Sequence, residues 1–372
     1  IRMFINAMGL ILADNKKIHL GELSRPRALA AMPFAGRYRI IDFMLSNMVN
    51  SGITNVGITA MNKYKSLMDH LGTGSSWDLD RKKQGLQILP PYINSSNTDS
   101  NIEGDDLVGL LDFLQADDHK YVILANPNVI FNSTFVELVA RHEDSGADMT
   151  VMYNRDGIRY GSPSVILDID RKGLVQDMMM NPAKPTSTRC SMGVMVINRE
   201  LLLDLVSEMI ARSETDFSIE KLLRRYDQFK IRGMEYKGLV LRINSVATYF
   251  NATMKMLEDD IREEIFNPDL PVYTKVKDEA PSLYDENNEV SNSVISDGCR
   301  ILGSVTNSMV FRGATISRHA VIKNSIIMQD VYVSEGVILE NVIIDKQCVI
   351  RPGIKLLGQA DYPVVIGKKA IV

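Results

Sequence analysis

With 372 residues the chain can bury more than one average domain's core. Its 42 basic and 46 acidic residues are interspersed and sum to a net charge of −4, which excludes the basic footprint of a nucleic-acid binder and a polybasic membrane patch. No apolar run approaches the roughly 20 residues of a membrane span, and three scattered cysteines, Cys190, Cys299 and Cys348, are too few for a disulfide framework or a zinc site and point to a reducing, cytoplasmic compartment.

Up to about Met256, short apolar runs alternate with amphipathic helical stretches: MGLILA, IDFMLSNMVNSG, TNVGITAM, YVILAN, STFVELVARHEDSG, DMTVMYN and SMGVMVIN. The alternation predicts an α/β domain on a mostly parallel sheet over residues 1–256. Residues 257–289 turn charged and proline-containing with little periodicity, and read as a linker. Over residues 290–372 a repeat follows, with NSVISDGCRI at Asn292, NSMVFRGATI at Asn307, NSIIMQDVYV at Asn324 and NVIIDKQCVI at Asn341. The separations of 15, 17 and 17 residues approach three hexapeptides, one coil of a left-handed parallel β-helix. Val294, Ile301, Val305, Ile316, Val321, Ile326, Val331, Val337, Ile343 and Val349 recur mostly at intervals of about five or six, and each is expected to point into the prism. An antiparallel sandwich would instead alternate with period two.

Several residue types read as structural. His19, His70, His119, His142 and His319 are scattered, in the manner of surface or satisfied histidines. Asp105 and Asp106 precede LVGLLDFL and suit a helix N-terminus, where carboxylates favour the dipole, better than a paired-carboxylate site. Met178 to Met180 read as strand and core, compatible with a closed, dry pocket remnant.

The stretch GLILADNKKIHLGELS has the strand-then-loop order of an α/β phosphate cradle, yet carries side chains where backbone N–H groups must close on phosphate oxygens. The following MPFAGRYRIIDFMLSNMVNSGITNVGI, together with SSWDLDR, LDFL, SMGVMVINRELL and the terminal repeat, resembles the glucose-1-phosphate adenylyltransferases, which make ADP-glucose from ATP and glucose 1-phosphate. The resemblance spans nearly the whole chain and implies a Rossmann-like, GT-A-like nucleotidyltransferase fold ahead of the β-helix.

Against the family's motifs this chain departs position by position. The family loop reads roughly GGxGxRLxxLT; here Asp14 and Asn15 stand at its paired glycines, Lys17 at the third and His19 at the arginine that holds the triphosphate. Asn128, in NPNV, stands at one magnesium aspartate, and Arg242, in LRINS, at the second. Asn181, in MNP, stands at the sugar-phosphate lysine. Asparagine is a weak ligand for a hard cation and arginine repels one, and phosphoryl transfer runs on metal and cationic charge. The resemblance therefore implies no catalytic residues and no metal of the chain's own. It is similar to the family's non-catalytic D-type subunits, which implies assembly with a catalytic subunit, as a heterotetramer in which the partner uses magnesium.

Arg27 and Arg39 match the family's effector-binding arginines, while Leu29 replaces a lysine there. The resemblance implies a phosphorylated metabolite as effector, which guanidinium groups suit; pairing of Arg39 with a carboxylate such as Asp42 is the competing reading. Apolar prism faces and the end YPVVIGKKAIV predict assembly. Two other classes stay open: an active nucleotidyltransferase with displaced groups, and a β-helix acyltransferase with His319 as base.

Overall fold

In the computed structural model residues 5–13, 18–59, 63–89, 106–155, 164–214, 217–286 and 288–372 are described. A nine-stranded sheet organises the N-terminal part. Strand Ala7–Leu12 lies between Asn55–Thr59 and Tyr121–Ala125, parallel to both, and Gly85–Leu89 extends the parallel set. Beyond Tyr121–Ala125 the direction changes. Cys190–Asn198 runs antiparallel to it and to Met149–Asn154 and Val165–Ile169, and Val175–Met180 closes that edge. Ile231–Glu235 pairs parallel with Met149–Asn154, so the sheet is mostly parallel in direction, with Cys190–Asn198 and Val175–Met180 reversed. Val175–Met180 and Cys190–Asn198 flank Val165–Ile169 and are both antiparallel to it, so residues 181–189 carry the chain across that strand.

Side-chain alternation divides the core into two layers. From the wholly buried strand Ala7–Leu12, Ala7 and Ile11 join Met44, Leu45 and Met48 of helix Ile40–Asn50. Met8, Leu10 and Leu12 face the other way, onto helices Asp106–Gln115 and Arg199–Ala211. The period of two along a strand covered on both faces explains why MGLILA is apolar without a break. Gly9 is required by that packing, since a Cβ there would lie 2.5 Å from Met48 Sδ.

Among its described residues, the stretch read as a linker packs on the N-terminal domain. It carries helix Asp259–Ile265 and is then strapped to the domain: Asn132 Nδ2 donates to the carbonyls of Ile265 and Leu270, both at 2.8 Å, and Thr274 Oγ1 donates to Asp42 Oδ2 at 2.6 Å. Leu283–Tyr284 already pairs with Arg300–Ile301 as the first prism strand. Leu257, Ile265 and Phe266 also pack into the core beside Phe43, but over 257–289 as a whole the apolar residues form no regular stripe for periodicity to find.

Three five-stranded parallel sheets form the left-handed β-helix. Ile301, Ile316, Val333 and Ile350 stack in register inside it, as do Val305, Ile322 and Leu339 on the second face and Val310, Ile327 and Ile344 on the third. Asn292, Asn307, Asn324 and Asn341 mark one corner, all with positive φ, a conformation asparagine tolerates. Their amides form a ladder, Asn292 Nδ2 donating to Asn307 Oδ1 at 2.8 Å and Asn307 Nδ2 to Asn324 Oδ1 at 2.5 Å.

Of the residues expected inside the prism, Val294, Ile326 and Ile343 point outward instead. With Met309 and Val365 they form one column along the third face, packed against Phe34, Phe43, Tyr249 and Phe250 of the N-terminal domain. Val349 is exposed and Val321 half-buried. This face is apolar on both sides because it serves two cores, which a hexapeptide count cannot distinguish from one.

Candidate functional site

Two concave sites matter, one within the N-terminal domain and one at its seam with the prism. The first begins where strand Tyr121–Ala125 ends. The chain turns through Asn126 and Asn128 into the short strand Val129–Ile130, which pairs antiparallel with Leu241–Arg242, Arg242 opposite Val129. This ribbon brings Asn128 and Arg242 into one cavity, about 70 Å³, that Asn181 also lines. Three positions distant in sequence are therefore neighbours.

Each of the three is committed to protein partners. Asn128 Nδ2 donates to Asn244 Oδ1 at 2.5 Å. Arg242 donates from Nη1 to the Ser191 carbonyl at 2.7 Å, and from Nη2 to Asn154 Oδ1 at 2.5 Å and the Cys190 carbonyl at 3.2 Å. All three acceptors are neutral, and burial pushes the Arg242 pKa below its ordinary value, against a smaller opposing influence of Cys190. Asn181, at φ 50°, donates its backbone N–H to the Ser164 carbonyl at 2.9 Å and accepts the Ser164 N–H on Oδ1 at 2.6 Å. The carboxylate lining the cavity, Glu220, accepts from Asn126 Nδ2 at 3.3 Å. A magnesium ion wants several carboxylate oxygens, whereas the described wall offers the single carboxylate of Glu220, engaged by Asn126, among amides and a guanidinium. Asp14, Asn15 and Lys17 lie outside the described residues, as does Asp105; His19 is exposed.

The second site is a cavity of about 250 Å³ at the seam. The hairpin Pro33–Phe34 and Tyr38–Arg39 contributes Arg37, Tyr38 and Arg39, and helix Lys65–Leu71 contributes Asp69 and His70. The strap contributes Lys275 and Lys277, the prism Arg312 and Lys346. Six basic side chains thus face one carboxylate, Asp69. Arg37, Lys275 and Lys277 are exposed to solvent, while the like charge gathered in the cavity favours an anion there.

The seam cations are held in different ways. Arg39 Nη1 donates to the Ser66 carbonyl at 2.6 Å and to Ser66 Oγ at 2.9 Å, and burial pushes its pKa down to about 10. Asp42 takes only the backbone N–H of Arg39, at 2.9 Å; its carboxylate otherwise engages His70 Nε2 at 2.6 Å and Thr274. The side-chain pairing of Arg39 with Asp42 therefore does not form. Arg312 is 4 % exposed, its Nε has no hydrogen-bond partner among the described residues, and no ion pair holds it there. Arg27 does not line the cavity. It is buried beneath it, Nη2 donating to both oxygens of Asp345 at 2.9 and 3.0 Å, next to Lys346.

Sequence reasoning finds Arg39 but misses Arg37, Lys275, Lys277, Arg312 and Lys346, which come from three stretches and meet only when the prism docks. The remaining histidines are structural or peripheral. His142 is buried with Nδ1 2.9 Å from Thr150 Oγ1, His119 contacts Asp117, and His319 is exposed, 3.8 Å from Glu335. The expected apolar surface is divided: one prism face is covered by the chain's own domain, while Leu283, Tyr284, Tyr332, Leu357, Tyr362 and Ile371 are exposed. No helix among the described residues is long and apolar enough to cross a membrane.

Comparison with known proteins places this geometry. Residues 8–235 match the family described as Nucleotidyl transferase, and residues 279–360 that described as GlmU-like, C-terminal hexapeptide. The chain is 34% identical to glycogen biosynthesis protein GlgD of Bacillus subtilis over 369 residues, 98% of this chain and 97% of that protein. It is 35% identical to glycogen biosynthesis protein GlgD of Geobacillus stearothermophilus over 323 residues, 85% and 82% of the two chains. It is also 31% identical to the glucose-1-phosphate adenylyltransferase of Thermotoga neapolitana over 324 residues, 86% and 76% of the two. The chain belongs to the nucleotidyl transferase family, among the glucose-1-phosphate adenylyltransferases and the glycogen biosynthesis proteins related to them.

Proposed function

We propose that this chain is a non-catalytic regulatory subunit in glycogen biosynthesis, assembling with a catalytic glucose-1-phosphate adenylyltransferase subunit and modulating it. The observation that carries the reading is Arg242: a guanidinium fixed by three neutral acceptors stands beside Asn128 where the family's magnesium carboxylates would lie. With that charge reversed, metal-assisted phosphoryl transfer loses its electrostatic support. Magnesium is then the catalytic partner's cofactor, in a heterotetramer of both chains. The three buried, free thiols favour a cytoplasmic setting.

The seam cavity, with Arg39 in its wall and the Arg27–Asp345 pair behind it, is the proposed effector site, and its charge suits a phosphorylated metabolite. The test is co-purification with a catalytic adenylyltransferase, followed by the partner's kinetics with and without this chain. Unchanged kinetic parameters across phosphorylated metabolites would leave only a scaffold role. Pyrophosphate release from ATP and glucose 1-phosphate by the isolated chain would favour an active enzyme instead.

A further inference from the structure

The seam cavity contains one cation whose charge is poorly secured. Lys346 follows strand Val342–Ile344 on the prism and is pushed down to about 7, chiefly by burial and then by Arg39 and Arg27, against Asp345. Lys368, from the next coil, acts in the same direction as the arginines. The rest of the wall is also cationic: Arg37 on the hairpin, Lys275 and Lys277 on the strap, and Arg312 on the prism. The nearby acids offer little relief. Asp345 is engaged by Arg27, Asp42 by His70 and Thr274, and Asp69 is exposed and acts on Arg39. His70 is held below the usual imidazole range, first by burial, and titrates in a lower window than Lys346.

A second observation points to a ligand independently. Arg312 is a buried guanidinium in the same wall, with no ion pair among the described residues and an unpartnered Nε. A buried charge of this kind calls for a counter-charge. A phosphoryl group between Arg39, Arg312 and Lys346 supplies it, and that group's negative charge raises the affinity of Lys346 for a proton.

We propose that the seam cavity takes up the phosphoryl group of its effector together with one proton, which settles on Lys346, so that the effector response weakens as pH rises above neutrality; this rests on the reading of the cavity as the effector site. The sign follows from linkage. Below about pH 7 Lys346 is already charged in the free protein and no proton accompanies the anion; above it, binding takes up a proton and each rise in pH opposes it.

Inorganic sulfate is the probe, because its charge is constant across the relevant range. Calorimetric titration of the full chain at pH 8 in two buffers of different ionisation enthalpy reads the proton count directly. The expected result is roughly one proton taken up per sulfate, with affinity falling roughly fivefold to tenfold from pH 7.5 to 8.5. Lys346→Arg should keep sulfate binding, lose the proton uptake and flatten the pH dependence; Lys346→Met should lose the uptake and bind more weakly. Sulfate binding by the wild type without proton uptake overturns the inference and leaves the effector site standing. Uptake that survives in Lys346→Arg also overturns it, by placing the proton elsewhere. Sulfate binding that is absent, or unaffected by Arg312→Gln, removes the effector reading and the inference together.

Discussion

Arg27 and Asp345, 318 residues apart, form an ion pair with both side chains almost wholly buried. The pair joins the loop after the first strand to the third prism face, across the apolar seam of Phe34, Phe43 and Ile343. Removing one partner leaves the other charged and buried. Arg27→Ala or Asp345→Ala is expected to cost about 3–5 kcal/mol, whereas the double change Arg27→Met with Asp345→Leu should recover most of that loss. Denaturant unfolding of the three variants checks this; single variants within about 0.5 kcal/mol of wild type would show that the pair is not holding the seam.

The isolated chain is expected to have no meaningful adenylyltransferase activity, measured as coupled pyrophosphate release at saturating substrates and magnesium. A turnover near about 1 per second or above, in the ordinary enzyme range, contradicts this. Asn128→Asp alone should not restore activity, because Arg242 remains beside it, held by Asn154, Ser191 and Cys190.

Mixing this chain with a catalytic subunit at micromolar concentration should give a new, heavier species in sedimentation. The exposed Tyr332, Leu357 and Ile371 of the prism are the surfaces available for burial. Independent monomers at every ratio would exclude the assembly.

In that assembly the chain is expected to shift the partner's substrate affinity or effector response by about 1–3 kcal/mol. Arg39→Ala should weaken the response while leaving assembly intact, since Arg39 lines the cavity and its side chain bonds only to Ser66 among the described residues. Steady-state kinetics with and without phosphorylated metabolites decide it. A variant that modulates like wild type makes Arg39 structural and leaves subunit contact as the route.

Stability should fall as the solution is acidified below about pH 6.5. His142 is buried, and burial lowers its pKa in the folded protein below the unfolded value of about 6.5. Between those two values the unfolded chain binds more protons, so stability rises with pH through that window and is lost on going down through it. Urea unfolding at pH 7.5 and 5.5 should show the decline, and His142→Gln should make it shallower; an unchanged slope assigns the acid sensitivity to other groups.

Much of this fold is legible in the sequence because two periodicities carry it. The alternating apolar runs mark the strands and helices of the N-terminal domain, and the Asn292, Asn307, Asn324 and Asn341 series marks the coils. Direction and docking are not periodic. The reversed direction of Cys190–Asn198 leaves its apolar run unchanged, and the outward column of Val294, Met309, Ile326 and Ile343 follows from a second core. The same limit separates the two sites. Asn128, Asn181 and Arg242 are recognisable because each departs from a motif, whereas Arg312 and Lys346 sit in coils whose pattern they do not disturb. The burial of Arg27 is equally hidden, since its acid lies at the far end of the chain.

The Arg27–Asp345 clasp also limits how members of this family could exchange parts. A chimera that takes its prism from a relative lacking an acid at the position of Asp345 would inherit a stranded guanidinium, and one that takes its N-terminal domain without the arginine would strand a carboxylate beside Lys346. The lobes are modular in topology but not in charge, so viable recombinants must cross over outside both residues or carry the two together.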